Sequence, residues 1–298
     1  MKKRNKKIIL TLVIIFLIIF STYTLFTKPS IPELETISLQ EWLRFPSPID
    51  TNTMKHQMKI ATTSLNITPN KNTNLNQITS LANKIIQKEP DTRLIVFPEA
   101  SLGLYYKKNN SQEYQKEIAE TIPGNATNQL GNLSKKLNIY LAIGLIEKSN
   151  NTLFNSLIVF DPNGTIIAKH RKQELHEYDV LNEIKQAENS ADTFYIDNFK
   201  VGLSICADAN KKWLINEYKK EQINLLIYSV ASDLPWIIRK INYWPFATKY
   251  NSWIATSNRF GIEDDEKYSG YIFIADQNGA IHKKKEGSGY ITTVIGKN

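Results

Sequence analysis

A layered α/β domain is the fold class this sequence predicts, and three observations carry that expectation. Short β-biased apolar runs alternate with longer stretches of three-to-four periodicity, as strands and amphipathic helices do in such domains. Two similar turn tetrapeptides, Asp161-Pro-Asn-Gly164 and Asp276-Gln-Asn-Gly279, each separate a pair of strand-like runs. The 298 residues are 42% hydrophobic and 22% charged, which is the usage of a chain that buries a core and excludes a disordered or fibrous one.

Taken in order, residues 57–66 alternate weakly and read as a first strand. Leu75, Ile78, Leu81 and Ile85 recur at helical spacing, so 73–88 is an amphipathic helix. Leu94 to Phe97 is a short buried strand. Pro123-Gly124 opens a helix over 125–137, and strands follow near 139–146 and 153–160. The first Asx/Gly turn leads into a strand at 165–170. Val201 to Ile205 is another buried strand, 210–221 a helix, Leu225 to Ser229 a strand, 236–250 a helix and Trp253 to Thr256 a strand. The second turn joins strands at 270–275 and 280–283, and a last strand covers 290–295. The two turns point to a pseudo-repeat of hairpin units, without any 20–50-residue array.

The formal net charge of +8 resembles a nucleic-acid signal until it is located. Residues 1–28 carry Lys2, Lys3, Arg4, Lys6, Lys7 and Lys28 and no acid, so the remaining 31 basic and 29 acidic residues leave only +2. A nucleic-acid footprint is therefore not expected. Ile8 to Thr27 is an uncharged apolar run whose twenty residues, as a helix, match the roughly 30 Å of bilayer hydrocarbon. It is longer than a signal-peptide core, and Ser21 to Thr24 make a poor cleavage site. We read 1–7 as a cytoplasmic basic tail, 8–27 as a single transmembrane anchor, 28–56 as a Pro-containing stalk and 57–298 as the folded domain. The basic tail keeps the N-terminus inside and puts the domain outside the cytoplasm. One Cys excludes a disulfide framework, a Cys-rich zinc site and an iron–sulfur cluster; the four His are scattered, no phosphate loop or dinucleotide fingerprint follows a strand, and neither cofactor nor metal is expected.

Chemistry-bearing residues stand where three buried strands emerge into loops: Phe97-Pro-Glu99, His170-Arg-Lys172 and Gly202-Leu-Ser-Ile-Cys206-Ala-Asp208. Each alone has a plain reading, as a cap, a solvated lysine or a small core thiol. Together they supply a base, a cation and a nucleophile, which are the parts for acyl transfer through a thioester. His170 lies two residues before Lys172 on one strand face, so a Cys206–His170 dyad is an alternative, though it leaves Glu99 without a task.

These three segments, in this order and about 73 and 34 residues apart, resemble the signature segments of the nitrilase (carbon–nitrogen hydrolase) superfamily. Asn155 to Gly164, Asn224 to Ser229 and Ser257-Asn-Arg-Phe-Gly261 are similar to its flanking elements, so the resemblance covers about residues 57–296. It implies an α-β-β-α sandwich, commonly dimerised. It also implies Glu99 as general base, Lys172 as oxyanion-stabilising cation, Cys206 as nucleophile and the Ala207 N–H as second oxyanion donor. Many members carry a second Glu between Lys and Cys, for which Glu183 is the better spaced and Glu177 the runner-up. The family's Arg-Ala-x-Glu-Asn reads Phe246-Ala-Thr-Lys-Tyr250-Asn251 here, so Tyr250 stands in place of a Glu.

The expected function is that of a membrane-anchored thiol amidohydrolase acting on a small amide. The alternatives are acyl transfer to an amine, as in apolipoprotein N-acyltransferases, and an inactive tethered scaffold. The single apolar span lacks the transmembrane platform of those transferases, and Cys206-Ala-Asp208 resembles the Cys-x-Asp of hydrolases rather than their Cys-x-Glu. Trp213, Trp236, Tyr105 and Tyr106 are candidate pocket aromatics, and specificity is expected in loops 101–122, 173–192 and 231–244.

Overall fold

The computed structural model describes residues 46–233 and 247–298. The basic tail, the apolar run 8–27 and most of the helix expected at 236–250 lie outside the described residues. Among the described residues no helix is long and apolar enough to cross a membrane.

The first half of the fold contains β1 (His56–Asn66), α1 (Lys71–Lys88), β2 (Thr92–Val96), α2 (Ser111–Ile118), α3 (Asn125–Leu137), β3 (Tyr140–Ser149), β4 (Thr152–Phe160) and β5 (Ile166–Arg171). After α4 (Glu177–Leu181) and β6 (Thr193–Ile196), the second half runs β7 (Phe199–Ile205), α5 (Lys212–Lys220), β8 (Leu225–Val230), β9 (Trp253–Glu263), β10 (Glu266–Ser269), β11 (Ile272–Ala275) and β12 (Ile281–Lys285). The final strand, β13 (Gly289–Lys297), returns antiparallel to β1.

The ladder order is β5-β4-β3-β2-β1-β9-β8-β7-β6. β1, β2 and β3 are parallel, then β4 and β5 antiparallel. β7, β8 and β9 repeat that pattern, followed by antiparallel β11 and β12. The pseudo-repeat of the sequence is thus a repeat of half-sheets, which meet where Ser64–Asn66 of β1 pairs with Asn258–Phe260 of β9. The two Asx turns are built alike. Asp161 Oδ1 accepts from Asn163 N and Thr165 N at 3.0 and 2.8 Å, and Asp276 Oδ1 from Asn278 N and Ala280 N at 2.9 and 3.1 Å.

Side chains alternate between faces at the period of two that strands impose. Ile60, Leu94, Val96, Leu157 and Val159 from one half meet Val201, Leu203, Ile205, Leu225 and Ile227 from the other in the inter-sheet core. The opposite faces bury Ile95, Leu141, Ile143, Ile158 and Phe160 under α1 and α3, and Leu226, Tyr228 and Ile254 under α5. Four layers, α-β-β-α, result. α1 forms because Asn70 caps it through Thr73 N and its buried Leu75, Ile78, Ala82 and Ile85 make one apolar stripe.

One expectation changes. The stalk joins the domain before residue 56: Ile49 N donates to Asp276 Oδ2 at 2.9 Å, and Met54 packs over Gly296. The short elements α2, α4, β6 and β10 were not legible, because four to eight residues carry too few periods to stand out.

Candidate active site

Glu99 sits in the loop after β2, and that loop is held from several sides. The Ser229 and Ser257 hydroxyls donate to Phe97 O at 3.1 and 2.9 Å. Arg259 of the Asn-Arg-x-Gly segment reaches over from β9, where its guanidinium donates to the carbonyls of Glu99 (2.9 Å), Ala100 (2.6 Å) and Gly103 (2.7 Å). The same guanidinium makes a bidentate pair with Glu263 at 2.7 and 2.6 Å, so a fully buried charge is fully bonded. On the β3 side Gly144 lies against the loop, and a Cβ there would fall 2.6 Å from Glu99 Cα.

Lys172 follows β5 directly, and its own N–H donates to Asn155 O at 2.8 Å. The side chain is fully buried. Its ammonium donates to Glu99 Oε1 at 2.8 Å and to the Tyr105 hydroxyl at 2.9 Å, and it lies 2.7 Å from Asp179 Oδ2. Asn155 Nδ2 bridges the two carboxylates, at 2.7 Å from Glu99 Oε1 and 3.1 Å from Asp179 Oδ1. Ala231 N donates to Glu99 Oε2 at 2.8 Å. Tyr105 OH and His176 N donate to Asp179 Oδ2 at 2.8 and 2.9 Å.

Cys206 directly follows β7 with φ at +45°, the left-handed region that costs a non-glycine residue about 1–2 kcal/mol. The chain turns there from strand into a 3₁₀ turn, Cys206–Asn210. Tyr228 OH donates to Cys206 O at 3.0 Å, and Tyr250 OH to Ala209 O at 3.0 Å, so Tyr250 braces this turn from the outer layer. Cys206 and Ala207 are half-buried.

Burial raises the Glu99 carboxyl above its ordinary range, and the adjacent Lys172 only partly counters this. Burial opposes the Lys172 ammonium, but Glu99, Tyr105 and Asp179 outweigh it and hold the pKa well above the usual value. The Cys206 thiol is pushed up to about 12 by burial and by the Glu99 charge, against the pull of Lys172.

The structure thus brings Glu99 and Lys172 into contact and sets Cys206 within their field. Glu183 is not part of this group. It follows α4 in a left-handed turn (φ +58°), is exposed, and pairs with Lys116 at 3.1 Å. Glu177 is exposed as well. The second carboxylate is Asp179, which points inward because the short helix α4 turns one acid in and leaves its neighbours out. The alternative Cys206–His170 dyad gains no support: His170 Nε2 faces Asp208 Oδ2 at 2.9 Å. Tyr105 belongs to the site, Tyr106 stacks on Tyr178 with ring centroids 4.3 Å apart, and Trp213 packs in the outer layer. Trp236 lies outside the described residues. Among the described residues no cluster of His, Cys, Asp and Glu could hold a metal ion.

A four-layer α-β-β-α sandwich with a buried Glu–Lys pair beside a cysteine elbow defines a class of thiol-bearing domains. Residues 59–284 match the model of one family in that class, described as carbon-nitrogen hydrolase, and the chain belongs to it. An omega-amidase of Xenopus tropicalis is 34% identical over 176 residues, 56% of this chain and 61% of that protein. The human omega-amidase is 35% identical over 150 residues, 48% of this chain and 52% of that protein. The chain therefore matches about half to three fifths of the length of these curated relatives. The fold is shared with an amidase from Nesterenkonia sp. (TM-score 0.70, 16% identity, 81% of this chain and 91% of that one). It is also shared with a carbon-nitrogen hydrolase from Helicobacter pylori (TM-score 0.69, 18% identity, 80% and 89%).

Proposed function

We propose that this protein is an amidohydrolase that cleaves a small, non-peptide amide through an acyl-cysteine thioester. The observation that carries the reading is the fully buried Glu99–Lys172 contact, 2.8 Å long, next to the strained, half-buried elbow at Cys206. Its kinship with proteins named omega-amidases supports the reaction class.

The resting thiol is protonated, since its pKa is pushed up to about 12. Deprotonation therefore accompanies attack, and Glu99, whose burial makes it more basic than an ordinary carboxylate, takes the proton. The sulfur adds to the amide carbonyl. At rest Glu99, Tyr105 and Asp179 surround the Lys172 ammonium at 2.8, 2.9 and 2.7 Å and engage its three protons. As Glu99 takes the thiol proton and loses its charge, its hold on the ammonium weakens, and that N–H turns to the developing oxyanion together with the Ala207 N–H. Asp179 and the Tyr105 hydroxyl hold the ammonium in place. Glu99 passes its proton to the leaving nitrogen, the C–N bond breaks and ammonia or an amine departs. Water then gives a proton to Glu99 and adds to the thioester. Collapse expels the sulfur, which recovers the proton from Glu99. The apolar run 8–27 would tether this domain to the cell membrane on its outer side.

The test is ammonia release from a panel of short primary amides by the full chain and its variants. Cys206→Ala abolishes turnover, and Glu99→Gln lowers it by about 10²–10⁴-fold. Wild-type turnover by Cys206→Ala would falsify the thioester route.

A further inference from the structure

The catalytic cation and the thiol stand on strands that no ladder joins. β5, which leads to Lys172, is one end of the sheet order, and β7, which leads to Cys206, is next to the other end. Between them lies apolar inter-sheet packing, which is non-directional and fixes spacing only loosely. One buried side chain crosses this gap with directional bonds. Asp208, two residues beyond Cys206, accepts from Gln173 N at 2.9 Å and Glu174 N at 2.7 Å through Oδ1. Its Oδ2 meets His170 Nε2 at 2.9 Å, and His170 is buried as well. The three partners flank Lys172 on both sides, so a carboxylate on the cysteine turn grips the lysine segment before and after its functional residue. The mechanism above uses neither Asp208 nor His170.

We propose that Asp208 and His170 are positioning residues, a clamp that sets how far the Lys172 ammonium stands from the Cys206 thiol and hence from the oxyanion. The proposal rests on the reading of Cys206 as nucleophile and Lys172 as its oxyanion partner. It also explains why an Asp suits this position. A Glu would add one methylene, about 1.5 Å of reach, and would push the lysine segment away or break its two backbone bonds. A misplacement of about 1 Å costs on the order of 10²-fold in rate.

The experiment compares two reactions of the same thiol in the full chain, each followed by intact mass. Acylation by p-nitrophenyl acetate forms the S–C bond through an oxyanion, expels p-nitrophenolate and sends the thiol proton to Glu99. Alkylation by iodoacetamide displaces iodide at a saturated carbon and forms no oxyanion. Asp208→Glu should slow acylation about 10–100-fold and alkylation less than about 3-fold. His170→Ala should slow acylation less, and His170→Gln, whose amide N–H can still donate to Asp208, should restore it. Because both His170 variants leave the two backbone bonds of Asp208 intact, they carry the test if Asp208→Glu does not fold. Wild-type acylation in Asp208→Glu and His170→Ala, or equal losses in both reactions, overturns the clamp. Cys206→Ala separates the other failure: a wild-type chain not acylated at Cys206, or a Cys206→Ala chain acylated as fast, overturns the nucleophile reading itself.

Discussion

Gly144→Ala perturbs the site without touching a reacting atom. Gly144 is bonded to the Glu99 loop in both directions: its N–H donates to Pro98 O at 3.2 Å, and its O accepts from Ser101 N at 2.7 Å. A Cβ at this position would lie 2.6 Å from Glu99 Cα and 2.7 Å from Pro98 O. Both are backbone atoms, so no side chain can swing aside. Ordinary contact begins at 3.4 Å, and the loop must retreat from 2.6 Å by about 0.8 Å. With Glu99 as the base proposed above, a displacement of nearly 1 Å costs on the order of 10²-fold, so kcat should fall about 10–100-fold with KM nearly unchanged. Overpacking also costs about 1–3 kcal/mol, or about 2–12 °C in Tm for a domain of this size. The assay pairs amide turnover with thermal melting. Gly131→Ala is the control: its Cβ would lie 2.7 Å from Gly164 O, a backbone clash of similar size where α3 packs on the turn between β4 and β5, and should lower Tm while leaving kcat intact. A folded Gly144→Ala with full kcat would refute the claim that this contact sets the position of Glu99.

Three further outcomes follow from the same geometry. Arg259→Lys cannot reproduce a fork that serves three carbonyls and Glu263, so stability should drop about 3–5 kcal/mol, read as a Tm loss of about 6–20 °C; a change under about 2 °C contradicts the bracing role. Asp179→Asn removes the charge beside Lys172 and should reduce kcat/KM about 10–100-fold, the worth of one hydrogen bond to a charged group, whereas Glu183→Gln at the surface should change it less than about 2-fold; the reverse ranking in steady-state kinetics would restore Glu183. Burial opposes the Glu147 carboxylate, but Arg171, Ser156 and Lys169 outweigh it and draw its pKa from 4.5 to about 2. The folded value is the lower one, so this group stabilises above the unfolded value and the gain is lost as pH falls from 4.5 toward 2. Urea melts across that window should lose part of their slope in Glu147→Gln.

The layered fold was legible because its strands are short apolar runs and its main helices carry clear stripes, as with Leu94–Phe97 and Leu75–Ile85. Lys172 and Glu99 were legible as strand-end residues, since a loop after a buried strand is where a charge can be held without a ladder partner. Asp179 was not. It lies on a five-residue helix, too short for periodicity, and the resembled family commonly carries a Glu rather than an Asp in this role. Its one local signal is the reciprocal cap His176-x-x-Asp179, in which His176 N donates to Asp179. The partner of His170 was not legible, because strand alternation gives a face and not a partner; its ring nitrogen faces Asp208, 38 residues away. Arg259 was visible only as part of a motif; its task, holding the carbonyls of a loop 160 residues earlier, is a tertiary fact.

Covalent capture on Cys206 tests the central claim most directly. The full chain and Cys206→Ala are each mixed with short primary amides, quenched in acid within milliseconds to seconds, and weighed intact, with hydroxylamine added to a parallel sample. For an amide that is turned over, the wild type should gain the mass of the acyl group, lose it to hydroxylamine as a hydroxamate, and localise it to Cys206, while Cys206→Ala gains nothing. An acyl adduct of equal yield on Cys206→Ala, or its location on another residue, would contradict the account.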